Sequence, residues 1–174
     1  MKKYLLLLAF LLSASTAQAG MYISGGIGES VDNNSKTTRQ DQNRNDNARY
    51  DNASMVAAAI GLATPVARLE VEGLYNKSDM KNGARHLTTG AAFVNAYAQI
   101  PVVGVYAGAG MGFAFVKNER AAVYQEIFGF EYGMEVIFLD MEYKHIQTRK
   151  DVKEFNGRSG LSIDSFMMKL RIEF

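Results

Sequence analysis

The sequence has no cysteine and no tryptophan, and only two prolines and two histidines occur among its 174 residues. Without cysteine it cannot form disulfides, thiolate nucleophiles or cysteine-ligated zinc and iron–sulfur sites. Two histidines are also too few to indicate a dedicated transition-metal site. Beyond the N-terminus no apolar run reaches about 18 residues, which argues against transmembrane helices. We therefore expect no metal, no cofactor and no bundle of membrane helices.

Residues 1–19 have the pattern of a secretory signal peptide. Lys2 and Lys3 precede an apolar stretch over residues 4–12, and Ala17-Gln18-Ala19 forms a small-x-small cleavage signal. The apolar stretch is shorter than the roughly 20 residues that a membrane anchor needs. We expect the chain to be exported, with a signal peptide over 1–19 and a single domain over 20–174.

The rest of the chain alternates apolar and polar residues with a period of two, and helical periodicity is hard to find. From Phe166 to Phe174, one face carries only apolar side chains and the opposite face is mostly charged. The alternation predicts eight strands, at about residues 20–30, 53–63, 66–77, 86–100, 103–116, 122–133, 136–147 and 161–174.

The connections between the predicted strands alternate in length. The short ones lie at 64–65, 101–102 and 133–135, and the long or polar ones at 31–52, 78–85, 117–121 and 148–160. Short turns at one rim and long loops at the other are typical of an up-and-down barrel that crosses a membrane.

Two architectures can use such strands. A soluble sandwich or lipocalin-like barrel buries its apolar face, whereas a transmembrane barrel turns that face to lipid and encloses its charges. The alternation alone does not distinguish them. The signal peptide, the aromatic C-terminal residue and the unequal rims favour an all-β fold, an eight-stranded antiparallel up-and-down transmembrane β-barrel.

Charged residues on four predicted strands lie opposite the apolar face and are expected to pair across the interior. They are Arg68, Glu70, Glu72, Glu131, Asp140, Glu142, Lys144, Lys169, Arg171 and Glu173. Side chains fill a barrel of this size, which leaves it too narrow for an aqueous pore. Met167 shares the inner face, so we expect an arginine there to be tolerated better than one on the lipid face.

Strand parity also gives expectations for the aromatic residues and the glycines. An interfacial girdle is expected near the strand ends, from Tyr22, Tyr75, Tyr97, Tyr106, Tyr124, Tyr132, Tyr143 and Phe174. Within that set, parity favours an interior position for Tyr97 and Tyr106. Gly108, Gly110 and Gly112 share one strand face with no helix after them, which indicates small interior residues rather than a phosphate-binding loop.

No catalytic residue is predicted. Of the two histidines, His86 and His145, the second lies at the outer end of the seventh strand, but no serine follows it closely. Carboxylate pairs on the third and seventh strands suit acid–base chemistry as well as salt bridges, and the basic residues on other strands favour salt bridges. A lipid-modifying enzyme and a small-molecule conduit are the alternatives to a non-enzymatic surface protein.

Four segments resemble the opacity-protein and neisserial surface protein A group of small outer-membrane barrels. They are residues 21–28, the strand at 95–97 with 105–112, the hairpin from 129–132 to 139–144, and the terminal Phe174. Their order and spacing in a chain of this length carry the likeness. The resemblance implies a monomeric barrel in a bacterial outer membrane. It also implies a surface antigen or adhesin-like role that the extracellular loops carry out.

The last strand resembles the signal that the outer-membrane assembly machinery reads in such families. Its alternating apolar residues are Phe166, Met168, Leu170, Ile172 and Phe174. The sequence departs from the family at Lys169, where a glycine is common. The resemblance implies that the assembly machinery is a partner.

The predicted loops carry more basic than acidic residues, although loop 31–52 is balanced. The basic residues of the other loops are Lys77, Lys81, Arg85, Lys117, Arg120, Arg149, Lys150, Lys153 and Arg158. We expect them to face lipopolysaccharide phosphates or another anionic surface, such as a sulfated host glycan. The alternative is that these charges only keep the loops soluble. Outer-membrane lipid is a further expected partner, and no nucleic acid is expected.

Overall fold

A computed structural model describes residues 19–38, 53–79, 86–101, 103–116, 119–148 and 158–174. The strands are β1 (Gly20–Thr38), β2 (Ser54–Ala63), β3 (Ala67–Asp79), β4 (His86–Ile100), β5 (Val105–Val116), β6 (Glu119–Met134), β7 (Ile137–Thr148) and β8 (Arg158–Glu173). No helix among these residues is long and apolar enough to cross a membrane. Apart from Ala19, the predicted signal peptide lies outside the described residues.

The eight strands close into a barrel in which each strand pairs antiparallel with its neighbours. β1 also pairs with β8. At this seam the Met21 N–H donates to the Phe174 carbonyl at 3.1 Å, and the Phe174 N–H donates to the Met21 carbonyl at 2.9 Å. Closure satisfies backbone groups that an open sheet edge would leave unpaired in lipid.

The connections divide the barrel into two ends. Short turns gather at the end that also holds Gly20 and Phe174, which we call the turn end. In the β4–β5 turn Gly104 has a φ of 72°, and a Cβ there would collide with the Glu131 carbonyl. Only glycine fits this position without strain. The opposite end, which we call the loop end, is where the chain leaves the described residues at 39–52, 80–85, 117–118 and 149–157.

Three strands extend further toward the loop end than the sequence pattern predicts. β1 runs to Thr38 instead of ending near Ser30, β6 begins at Glu119, and β8 begins at Arg158. The pairing of β1 with β8 shifts register just after Ser30 and then continues to the end of β1. These extensions are mostly polar in sequence, so no apolar alternation marks them, and the sheet continues there through backbone pairing. The predicted loops at these positions are correspondingly too long.

The outer face of the barrel is apolar. Its exposed large hydrophobic side chains range from 38% exposed, at Tyr124, to 74% exposed, at Met111. Apart from Glu173 at the turn-end mouth, the charged residues of β3, β7 and β8 that were assigned to the inner face are buried inside the barrel. A soluble barrel has the reverse arrangement, whereas a wall of this kind suits contact with hydrocarbon. The predicted eight-stranded transmembrane β-barrel is confirmed.

The wall predicts that the cost of a charge depends on its depth. Met141 and Met134 both point outward, but Met134 adjoins the β6–β7 turn and Met141 lies further along the wall. Met141→Arg should lower the free energy of unfolding by about 2–4 kcal/mol, and Met134→Arg by about 1 kcal/mol or less, because only the deeper charge loses its hydration. Urea-induced unfolding in lipid vesicles measures both losses. Equal losses would contradict this assignment of the membrane-facing wall.

Candidate functional site

The interior of the barrel is the most chemically distinctive part of the described chain. On β3, β7 and β8 the inward residues change character, from charged near the turn end to mainly apolar near the loop end. On β3 the inward side chains of Arg68, Glu70 and Glu72 are followed by that of Leu74. On β7 the charged inward side chains from Asp140 to Lys144 are likewise followed by that of Ile146. The interior therefore has a charged layer and an apolar layer.

The structure places all ten residues of the predicted charge cluster on the inner face. Eight of them, four acidic and four basic, are at most 4% exposed: Arg68, Glu70, Glu72, Asp140, Glu142, Lys144, Lys169 and Arg171. The side chains of Glu131 and Glu173 are 11% and 26% exposed and lie at the turn-end mouth. Burial of so many charges is tolerable only because their signs balance and each has partners.

Lys144 and Lys169 form the half of the charged layer that is nearer the loop end. Lys169 Nζ lies 3.2 Å from Glu70 Oε1 and 3.5 Å from Glu142 Oε2. Lys144 Nζ contacts Glu72 and lies 3.3 Å from Glu142 Oε2. Glu142 therefore bridges the two ammonium groups, and β3, β7 and β8 are joined across the interior rather than only through the sheet.

The two arginines form the lower half, toward the turn end. Asp140 Oδ2 accepts from Arg68 Nη1 at 3.3 Å and from Arg171 Nε at 3.1 Å. Arg171 Nη2 also donates to Glu131 at 2.6 Å. Arg68 Nε and Nη2 have no hydrogen-bond acceptor among the described residues. The Arg68 guanidinium instead lies over two aromatic rings, 4.7 Å from the ring centroid of Tyr97 and 4.2 Å from that of Tyr106, as in a cation–π contact.

Uncharged donors complete the layer, and sequence reasoning missed three of them. Tyr22 donates to Glu70 at 3.0 Å, Asn95 Nδ2 donates to Glu72 at 2.8 Å, and Gln125 Nε2 donates to the Asn95 side-chain oxygen at 2.7 Å. The placement of Tyr22 in an interfacial girdle is wrong, because this residue is fully buried. Parity points all three inward, but none of them is charged, so they do not stand out as the ionic residues of β3, β7 and β8 do.

Inward glycines make room for the tyrosines. A Cβ at Gly61 would overlap the ring of Tyr22, and one at Gly108 would overlap the ring of Tyr97. A Cβ at Gly110 would overlap the amide oxygen of Asn95. At these interior glycines, a bulky side chain from a neighbouring strand lies directly against the backbone.

The apolar layer closes the interior toward the loop end, and the sequence analysis did not predict it. Its members come from seven strands and are Met55, Ala57, Leu74, Phe93, Ala114, Val123, Ile146, Ile163 and Met167. Met167 is only 4% exposed. Met167 also pairs directly with Glu142 on β7, so a cation at this position would have an acid as its neighbour, and the expectation that an arginine is tolerated better here than on the lipid face stays a prediction.

The interior is organised for stability rather than for acid–base chemistry. Each buried carboxylate already contacts a cation or a neutral donor, and side chains fill the space between them. No group of three or more histidine, aspartate or glutamate side chains in the described part of the chain is arranged to hold a metal ion.

A separate polar network lies on the outer face near the loop end. His145 Nδ1 is 2.6 Å from Asp164 Oδ1, and since a carboxylate only accepts, this nitrogen carries the proton. Tyr143 donates to the same oxygen at 2.6 Å. The other ring nitrogen of His145 contacts the Gln147 side chain, whose oxygen accepts from Tyr124. The second ring nitrogen therefore faces an amide rather than a serine. The network lies at the loop-end margin of the apolar wall.

The remaining predicted site residues lie on the outer face or outside the described residues. The apolar residues of the last strand, Phe166, Met168, Leu170, Ile172 and Phe174, are between 40% and 69% exposed on the wall. Lys77 and Arg120 are exposed near the loop end, and the backbone of Arg158 begins β8. The other cations of that set, Lys81, Arg85, Lys117, Arg149, Lys150 and Lys153, lie outside the described residues.

The charged layer predicts strong coupling between its partners. Glu72→Gln or Lys144→Met alone leaves a buried charge without its partner and should cost about 3–5 kcal/mol, whereas the double variant should cost less than the sum. Glu173→Gln at the mouth is the control and should cost about 1 kcal/mol or less. Urea-induced unfolding in vesicles gives the four energies of the cycle. Strict additivity would mean that Glu72 and Lys144 do not interact.

Comparison with known proteins identifies the architecture. No protein-family model and no curated protein sequence matches the chain. Among solved structures, it is similar to Neisserial surface protein A (NspA), with a TM-score of 0.61 and 13% identity over 90% of this chain and 99% of that one. It is also similar to the outer membrane protein OprG from Pseudomonas aeruginosa, with a TM-score of 0.60 and 9% identity over 90% and 96% of the two chains. The resemblance inferred from the sequence is confirmed at the level of the fold, which is that of the small eight-stranded outer-membrane barrels.

Proposed function

We propose that this chain is a bacterial outer-membrane surface protein, an antigen or adhesin-like barrel that acts through its loop end. The filled interior is the observation that carries the proposal. A balanced charged layer fills the interior near the turn end, and an apolar layer fills it near the loop end. The barrel then serves as a scaffold, and the loops and the outer wall are the surfaces that bind partners. The similarity of the fold to outer-membrane barrels supports the location.

A role as a small-molecule conduit is disfavoured by the same interior. Lys144 and Lys169 occupy the centre of the charged layer, and Phe93 and Met167 fill the apolar layer above them. An ion or polar solute that crosses would have to break buried ion pairs and then enter a layer whose described side chains are mainly apolar.

An enzymatic role is disfavoured by the outer histidine. A general base must present a free ring nitrogen to a nucleophile within hydrogen-bonding reach. His145 instead uses one nitrogen for Asp164 and the other for Gln147. We therefore propose no catalytic role for His145.

We further propose that the loop-end cations bind lipopolysaccharide phosphates or an anionic glycan. The test measures binding of the folded barrel to lipopolysaccharide and to heparin between 0.1 and 1 M salt, where the Debye length falls from about 10 Å to about 3 Å. Binding should weaken with salt, and a variant with glutamine at Arg149, Lys150, Lys153 and Arg158 should bind more weakly at low salt.

The chain offers a matched control for this experiment. Glutamine at Lys36, Arg39, Arg44 and Arg49 removes the same number of cations from the charge-balanced segment 31–52, which comprises the end of β1 and the residues after it. This variant should keep most of its affinity if the cationic loop is the contact surface. Equal losses in both variants, or binding that ignores salt, would contradict the assignment.

A further inference from the structure

The outer wall carries two apolar grooves that differ in the charges beside them. The first, which we call the β3–β6 groove, has a volume of about 670 Å³ and is lined by Val71, Val94, Met111 and Phe113, with Ala92 and Ala122 at its floor. The second, which we call the β1–β8 groove, has a volume of about 790 Å³ and includes Ile27, Val56, Met141, Tyr143 and Phe166. Both lie on the face that contacts hydrocarbon, so that in a membrane lipid chains cover them.

The β3–β6 groove owes its shape to the alternation of large and small residues across neighbouring strands. Phe113 pairs with Ala92 on one side and Ala122 on the other, so that one aromatic side chain stands between two methyl groups. In the next row Met111 pairs with Val94 and Tyr124. Depressions of this kind, flanked by exposed apolar side chains, fit the profile of an extended acyl chain.

A cation lies above this groove. Arg120 is two residues beyond Ala122 on the same face of β6, which is about 7 Å closer to the loop end along the strand. Its guanidinium is exposed and lies 5.5 Å from the ring centroid of Phe115, so that an aromatic surface orients it. Lys77 on β3 is a second exposed cation on this side of the barrel.

The β1–β8 groove has acids in the equivalent position. Glu29 is exposed and lines that groove itself. Asp164 lies nearby on β8, two residues from Phe166 on the same face. Glu126 on β6 lies between Tyr124 of one groove and Phe128 of the other, so it distinguishes neither. Among the described residues beside one groove only, the β3–β6 groove thus has the cations Lys77 and Arg120, and the β1–β8 groove has the acids Glu29 and Asp164.

We propose that the β3–β6 groove is a binding site for a phosphorylated lipid of the loop-side leaflet, with an acyl chain in the groove and the phosphate on Arg120. An ammonium or guanidinium at the membrane surface attracts an anionic headgroup, and carboxylates repel it. The β1–β8 groove is then occupied by lipid without preference for charge. This site rests on the proposed phosphate binding by the loop-end cations, to which Arg120 belongs, and adds an acyl-chain groove on the wall.

The absence of tryptophan makes the proposal directly testable. Phe113→Trp places a single fluorophore in the β3–β6 groove, and Phe166→Trp places one in the β1–β8 groove. Each variant is reconstituted in phosphatidylcholine vesicles that contain brominated phosphatidylcholine or brominated phosphatidic acid, and quenching gives the relative affinity for the two lipids. Heat-modifiable migration on a gel verifies that every variant is folded.

The fluorescence of the two variants should respond differently to the two lipids. Phe113→Trp should prefer phosphatidic acid by about fivefold, as expected from one exposed ion pair of about 1 kcal/mol. Adding Arg120→Gln, or raising the salt to about 1 M, should return the ratio to about one, and Arg120→Lys should largely keep the preference. Phe166→Trp should show a ratio of about one or below.

Three results would overturn the proposal. The first is the same ratio at both positions, which would mean that lipid covers the wall indiscriminately. The second is a preference that survives Arg120→Gln. The third is the absence of quenching by either lipid at position 113, which would mean that protein, such as a second copy of this chain, covers the groove.

Discussion

Lipid offers no hydrogen-bonding partner to a backbone amide, and the rest of this structure follows from that constraint. The sheet must close, which joins β1 to β8 through the bonds between Met21 and Phe174. Once eight strands have closed, the inner face of every strand points into one narrow space. The side chains at the inner positions must fill that space and must satisfy one another's hydrogen-bonding groups without water.

The chain meets this second requirement with two different solutions in one interior. Near the turn end, four acids and four bases pair across strands, and tyrosine, asparagine and glutamine side chains donate further hydrogen bonds within the layer. Near the loop end, Phe93, Leu74 and Met167 pack without any charge. The charged layer gives register and specificity, because each ion pair fits only one alignment of its strands, and the apolar layer separates it from the loop-end water.

Much of this architecture can be predicted from the period of two in the sequence. Alternation across Arg68 to Tyr75 and across Leu139 to Lys144 suffices to assign the faces, because charge contrast between neighbours is strong there. It fails on β2, where Met55 and Ala57 alternate with residues just as apolar and neither face is marked. The apolar layer also needs the register of seven strands, which no local pattern contains.

The errors at the strand ends have a related cause. The extension of β1 to Thr38 is polar in sequence from Asp32 onward and pairs through its backbone with β8, so that its composition resembles that of a loop. Tyr22, near the start of the same strand, resembles a girdle residue in sequence. Only the structure shows that its hydroxyl donates a hydrogen bond to Glu70, which is far away in sequence. In both cases the deciding partner lies on another strand.

The central claim is that the interior is closed and that the protein works from its outer surfaces. Ion conductance of the reconstituted barrel in planar bilayers tests it most directly, with heat-modifiable migration showing that the sample is folded. The account predicts no stepwise current at either polarity, because an ion would have to break the Lys144 and Lys169 pairs and then cross the layer around Phe93. Stable single-channel steps from folded protein would contradict it.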